Sequence, residues 1–211
     1  MSIKPRPVVA AFDFDGTLTR HDTFVPFLIR GLGWPRFAWV IFLCLPWLIG
    51  FALRVVSNHK AKQKLMLLAL KGRTMAQMKD WTQRWLAKDF WHQLRPDAMA
   101  QLLAHQQAGH CCVMVSASPD IYLREVAQQL GFDHLICTEM AVKNGVFNGL
   151  MQSPNCHGEQ KVVRLKAWLA LRFEVPLEAI ELHAYGDTYG DKPMLRMAAH
   201  AWYRGQPWQD E

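Results

Sequence analysis

The chain is poor in cysteine. It has five among 211 residues, an odd number, with Cys111 and Cys112 adjacent and no Cys-x-x-Cys or Cys/His zinc spacing. That excludes a disulfide scaffold and a zinc finger, and favours a reducing, cytoplasmic compartment. The first residues contain no apolar stretch of signal-peptide length, so no secretory leader is expected. Internal repeats and low-complexity segments are missing. Long uncharged runs are missing as well, with one exception at 37–53, which excludes a bundle of many membrane spans. Charged residues make up only 20% of the chain, but the hydrophobic fraction of 51% excludes a disordered chain. Lys and Arg outnumber Asp and Glu by 24 to 18. The basic residues form no single long cluster, which argues against nucleic acid. A phosphorylated metabolite or an anionic membrane surface remains as the partner of the positive charge.

Short apolar runs alternate with helical stretches. Val8 to Phe14 reads as a buried strand ending in Asp-Phe-Asp-Gly. Residues 111–115 form a second strand, ending at Ser116 and preceded by a helical stretch over 97–108. A helix is expected over 119–130 with Gly131 as its stop, and a third strand over 135–138. Lys143-Asn144-Gly145-Val146 reads as a hairpin turn. A helix over 159–172, a strand from Ile180 to Tyr185, a helix over 192–199 and a short strand over 201–203 complete the pattern. The expected fold class is α/β, with a Rossmann-like parallel sheet covered on both faces. In such sheets the site lies beyond the carboxyl ends of the strands, where Asp13, Ser116 and Asp187 would converge. Residues 21–104 carry no strand signal and read as a helical cap inserted into a core made of 1–20 and 105–211.

Four motifs carry chemistry. Asp13-Phe14-Asp15-Gly16-Thr17 places two carboxylates at i and i+2 after a strand, ahead of a tight turn. Calcium loops also contain Asp-x-Asp-Gly, but they need a Glu where Phe24 stands. Ser116-Ala117-Ser118-Pro119 delivers a hydroxyl before a helix start, as a phosphate cradle or as a plain cap. Gly158-Glu159-Gln160-Lys161 opens a helix with a lysine in its first turn. Gly186-Asp187-Thr188-Tyr189-Gly190-Asp191 leaves a strand end with two acids four apart.

In this order and at these positions, the four motifs resemble the haloacid-dehalogenase-like (HAD) phosphatase superfamily over about residues 8–20 and 105–200. The resemblance implies that Asp13 is the nucleophile that forms an aspartyl-phosphate and Asp15 the general acid and base. It implies that Ser116, the Ala117 N–H and Lys161 hold the phosphoryl oxygens. It implies Mg²⁺ as cofactor, with Asp13, the Asp15 carbonyl and Asp187 as ligands and Asp191 as a further acid of the metal site. A long helical insertion directly after the first motif is similar to the phosphoserine-phosphatase-like branch. Gly16 and Ser116-Ala117-Ser118 depart from that branch, and Asp22 stands where it carries a substrate-binding Glu, which weighs against phosphoserine as substrate.

The insertion is unusual. Trp34, Trp39, Trp47, Trp81, Trp85 and Trp91, six of nine tryptophans, lie within it. From Phe37 to Leu53 no residue is charged, a length of about 25 Å as a helix, marginal for one membrane span. The strands before and after must pair in one sheet, so a single crossing is excluded. Three readings stand: a re-entrant hairpin broken at Pro46 with arms near 34–45 and 47–56, an interfacial segment with Trp at headgroup level, or a buried helix pair in a soluble cap. The insertion resembles that of the phosphatidylglycerophosphatase C family, which implies a phosphorylated membrane lipid as substrate and a peripheral position on the inner face of the cytoplasmic membrane. A small soluble phosphomonoester and a non-catalytic anionic-lipid-binding module are the alternatives. Asp22, with His21, Arg54 and Lys60, is a candidate for contact with the leaving group.

Overall fold

A computed structural model describes residues 6–210. The expected absence of a leader rests partly on residues 1–5, which lie outside the described range. The core is a six-stranded sheet built from β1 (Val8–Phe12), β2 (Cys111–Pro119), β3 (His134–Thr138), β6 (Glu181–Gly186), β7 (His200–Tyr203) and β8 (Gln206–Pro207), in the order β3-β2-β1-β6-β7-β8. All neighbours run parallel except the last pair. A separate antiparallel hairpin, β4 (Met140–Lys143) and β5 (Val146–Met151), turns through Asn144 and Gly145, both at positive φ, as the sequence predicts.

β1 is apolar at every position because both faces of the sheet are covered. Ala10 and Phe12 point into one cluster together with α5 (Pro96–Gln107) and α6 (Asp120–Gln129). Val9 and Ala11 point into the other, with α7 (Glu159–Arg172) and α8 (Lys192–Arg196). The first cluster runs on without a break into the insertion through Phe24, Phe27, Trp81 and Trp85. Core and insertion therefore share apolar packing.

The insertion begins and ends at a single bridge, Thr19 to Leu94, flanked by the bonds Arg20 N–H to Gln93 O (2.7 Å) and Arg95 N–H to Leu18 O (2.9 Å). This neck brings the two chain directions together at one side of the sheet, as the strand pairing requires. Between them run α1 (Phe24–Leu32), α2 (Trp34–Ala52), α3 (Asn58–Leu70), α4 (Met75–Trp85) and a π-helical turn at Leu86–Phe90. α4 starts with a reciprocal capping box between Thr74 and Gln77. α5 crosses residue 104, the expected end of the cap.

Several elements differ from expectation. β1 stops at Phe12, which leaves Asp13 and Phe14 free to turn into the loop. α8 stops at Arg196 instead of 199. The most consequential difference is α2. It is one continuous helix through Pro46, so the re-entrant hairpin is not formed. It packs against α1 and α3, buries only a narrow stripe, Phe37, Val40 and Cys44, and leaves its other face exposed. A proline mid-helix removes one N–H bond and crowds the preceding turn. An exposed helix tolerates that loss because water can serve the freed carbonyl.

Candidate active site

Asp13 follows β1, and its N–H bonds to the Tyr185 carbonyl of β6 at 2.9 Å, which extends the pairing by one residue and fixes the backbone of Asp13 at the sheet's carboxyl edge. Gly16 has φ +85°, and a Cβ there would press on the Asp187 carboxylate, so the turn and the close approach both call for glycine. The Thr17 hydroxyl lies 3.1 Å from Asp13 Oδ2 and 3.2 Å from Asp187 Oδ1, tying the first and fourth motifs together.

Lys161 sits in the first turn of α7 and is fully buried. Its Nζ donates to Asp13 Oδ1 at 2.5 Å and to Asp191 Oδ1 at 2.6 Å. Burial disfavours the ammonium, but the flanking Asp13 and Asp191 carboxylates outweigh that and raise its pKa. Asp191 Oδ2 accepts from the Asp187 N–H, the Thr188 N–H and the Thr188 hydroxyl, which holds the loop after β6 in place. Despite its burial, Lys161 and these donors keep the Asp191 pKa low. Asp13 is pushed the other way. Burial, helped by the neighbouring Asp191 and Asp15 charges and opposed by Lys161, raises its pKa to about 8. Asp187 is raised by burial and by Asp191.

Asp15 points away from this cluster. Its Oδ1 accepts from the Thr23 N–H and hydroxyl, both at 2.7 Å, and its Oδ2 from the Ser118 hydroxyl at 2.5 Å. Thr23 in turn meets the Tyr122 hydroxyl at 2.9 Å. Burial and the Asp22 charge raise the Asp15 pKa, against these donors. In the second motif β2 runs on past the expected 111–115 to Pro119, and α6 begins at Asp120, within one residue of the expected start, so Ser116 and Ala117 are extended backbone before the helix. The reason is pairing: β3 accompanies β2 as far as Pro119–Thr138, past a register shift. Ser116 is buried, and its Oγ accepts the Ser118 N–H at 3.0 Å. The Ala117 carbonyl accepts from Lys62 Nζ at 2.6 Å and from the Thr138 hydroxyl at 2.7 Å.

Beside this motif lies a cavity of about 630 Å³ whose lining includes His21, Asp22, Leu48, Phe51, Lys62 and Ala117. Asp22 is exposed at its rim, and its carboxylate accepts the Phe24 and Val25 N–H groups at the start of α1. Arg54 and Lys60 are exposed and do not line the cavity. Lys62, which sequence reasoning passed over, does. Burial lowers its pKa, opposed by the Asp15 and Asp22 charges. Thr17, Thr23, Ser118 and Tyr122 were also missed. Thr17 and Ser118 sit inside motifs already recognised, whereas Thr23 and Tyr122 meet Asp15 only through folding.

One ligand atom each from Asp13, Asp187 and Asp191 lies within 4.8 Å of the others. These are hard oxygen donors, and the one ammonium among them balances only part of their charge. That composition fits Mg²⁺.

The description "haloacid dehalogenase-like hydrolase" matches residues 10–196 as a family model. The protein CicA of Caulobacter vibrioides is 36% identical over 201 residues, covering 94% of this chain and 86% of that protein. A protein of unknown function from Bordetella pertussis superposes with a TM-score of 0.79 at 21% identity, over 92% of this chain and 88% of that one. A substrate-bound phosphoserine phosphatase superposes with a TM-score of 0.64 at 18% identity, over 96% and 87%. With a family model spanning residues 10–196 of its 211, the chain belongs to the haloacid dehalogenase-like hydrolase family.

Proposed function

We propose that the protein is a Mg²⁺-dependent phosphomonoesterase working through an aspartyl-phosphate, with a phosphorylated membrane lipid as its substrate. The phosphatase reading rests on one observation above all, the Lys161 ammonium bound between Asp13 and Asp191 at the sheet's carboxyl edge. A carboxylate that attacks a phosphate dianion meets like charge, and a buried ammonium beside it offsets that repulsion. Asp13 attacks phosphorus through one carboxylate oxygen while the bond to the leaving oxygen breaks. Asp15, oriented by Thr23 and Ser118, gives the leaving oxygen its proton. Asp15 then takes a proton from water as that water attacks phosphorus, the Asp13–phosphoryl bond breaks and inorganic phosphate leaves. Lys161 and the Ser116–Ala117 segment hold the phosphoryl oxygens. The Asp13 and Asp187 carboxylates and the Asp15 carbonyl would hold Mg²⁺, with Asp191 behind them. When bound, the ion supplies further charge neutralisation at the phosphoryl group.

The helical stretch closed off by the Thr19–Leu94 bridge serves as the cap that shapes the leaving-group cavity. The lipid reading is supported by α2. Its Leu48 and Phe51 wall the cavity. Its outer face exposes Trp34, Trp39, Phe42 and Ile49, each more than half exposed. A helix of this kind, with Arg36 before its apolar run and Arg54 after it, suits the headgroup region of an anionic bilayer. A lipid phosphate would enter the cavity while its acyl chains stay with the bilayer beside α2. The test is phosphate release with Mg²⁺ from phosphatidylglycerophosphate in mixed micelles, set against soluble phosphomonoesters including histidinol phosphate and phosphoserine. Preference for the lipid supports the reading. Faster turnover of a soluble ester leaves the phosphatase assignment standing and removes the lipid.

A further inference from the structure

Parallel pairing of β6 with β7 sets His183 directly beside His200. Glu181 lies two residues before His183, so it shares that face of the sheet. The three side chains meet: His183 Nε2 lies 3.3 Å and His200 Nε2 3.2 Å from the same oxygen, Glu181 Oε1. The two imidazole rings stand 4.5 Å apart at 32°, and Trp202 stacks on His183 at 5.6 Å and 10°. One ligand atom from each of the three lies within 4.8 Å of the others. This cluster begins at the first residue of β6, whereas Asp187 follows its last. The two are separated by about 20 Å of extended chain, so the catalytic proposal makes no use of it.

We propose that Glu181, His183 and His200 form a binding site for a transition-metal ion of the Zn²⁺ type, separate from the carboxylate site at Asp13. Nitrogen and oxygen ligands about 2.0–2.1 Å from a tetrahedral Zn²⁺ lie roughly 3.3 Å from each other, and two of the three edges already have that length. The donor set, two imidazoles and one carboxylate with room for water, selects Zn²⁺, Cu²⁺ or Ni²⁺ over Mg²⁺. His183 Nδ1 is buried without a hydrogen-bond partner among the described residues. The side chains of Glu181 and His200 are 36% and 50% exposed, which gives an ion a path from solvent. A bound ion would clamp β6 to β7.

The experiment is zinc binding to the full chain in excess Mg²⁺, followed by competition with a chromophoric chelator, with Co²⁺ as a spectroscopic probe. Wild type should take up zinc at this site and give the intense visible bands of four-coordinate cobalt. His200→Asn and Glu181→Gln, both at accessible positions and so tolerated by the fold, should each weaken zinc binding by at least the ~10–100-fold that loss of a ligand's hydrogen-bond partner produces. Both should keep the thermal midpoint of the metal-free wild type. Zinc held as tightly by His200→Asn and Glu181→Gln as by wild type overturns the proposal. So does a wild type that takes up no zinc in excess Mg²⁺, which would mean that the carboxylate serves the two imidazoles as a hydrogen-bond acceptor only.

Discussion

Lys161 Nζ lies 2.5 Å from Asp13 Oδ1, although 148 positions separate the two residues in the chain. Asp13 follows a strand near one end of the sequence, and Lys161 opens a helix far downstream. Their ion pair is buried, and Asp191 completes it at 2.6 Å. A buried pair of this kind contributes little net stability, because desolvation offsets attraction. Its presence at a strand end is better explained by chemistry than by folding.

Asp13→Asn should abolish phosphate release and leave the fold intact. Burial is the largest influence on Asp13 and disfavours its charged form. The neutral amide should therefore leave the thermal midpoint unchanged or raise it, as thermal unfolding would record. Turnover within tenfold of wild type would refute the nucleophile assignment.

Lys161→Met should behave differently. It leaves the Asp13 and Asp191 carboxylates buried without their cation, a loss of about 3–5 kcal/mol. Chemical denaturation measures that cost, and activity should vanish with it. Adding Asp13→Asn to Lys161→Met should recover part of the stability and none of the activity.

Lys62→Met removes the donor that binds the Ala117 carbonyl inside the cavity. Loss of a hydrogen bond from a charged donor is worth about 1.5–3 kcal/mol. The expected fall in kcat/KM is about 10–100-fold, read from steady-state kinetics with Mg²⁺ saturating.

Trp39 and Phe42 stack at 5.4 Å on the outer face of α2 and are 61% and 62% exposed. If that face meets lipid, each ring contributes about 1.5–3 kcal/mol. The double change Trp39→Ser with Phe42→Ser should cut binding to anionic vesicles by more than about tenfold. Turnover of a soluble ester should not change. Vesicle sedimentation that shows equal binding would remove α2 from the membrane reading.

The acid limb of stability should report His105. It is buried against the Tyr185 hydroxyl (2.8 Å) and His110 (2.7 Å), and burial followed by the His183 and His110 charges lowers its pKa to about 4. A histidine whose folded pKa is depressed stays neutral in the native state while the unfolded chain takes up a proton first. Its contribution is full above about pH 6.5 and drains as pH falls to about 4. The loss has an upper bound of about 3 kcal/mol. Thermal midpoints of wild type and His105→Asn across that window should converge as the pH drops.

Much of the fold was legible because a parallel sheet covered on both faces demands continuous apolar strands. Val8–Phe12 and Cys111–Val115 are such apolar stretches, and each is followed by a polar residue, Asp13 or Ser116. The Asn144-Gly145 turn was legible because its backbone needs positive φ. The positions of Asp13, Asp187 and Asp191 followed from strand ends, a local property. The state of Ser116 and Ala117 did not. Whether a strand stops at a serine or runs on to Pro119 depends on the neighbouring strand, and β3 decides it through pairing. Thr23 and Tyr122 around Asp15, and Lys62 in the cavity, are side chains of separate helices or loops that packing alone brings together.

The sequence by itself determined the sheet, the motifs at its carboxyl edge and the presence of one uncharged stretch at 37–53, because strand periodicity, turn chemistry and charge are carried by adjacent residues. The tertiary structure decided that α2 stays a single helix through Pro46 and turns Trp34 and Trp39 outward. It also decided that Leu48 and Phe51 wall the cavity, and that Glu181, His183 and His200 converge at the far end of the sheet. Those outcomes depend on which faces find partners. α3 and the hairpin at 140–151 cover other surfaces and leave the outer face of α2 unpacked.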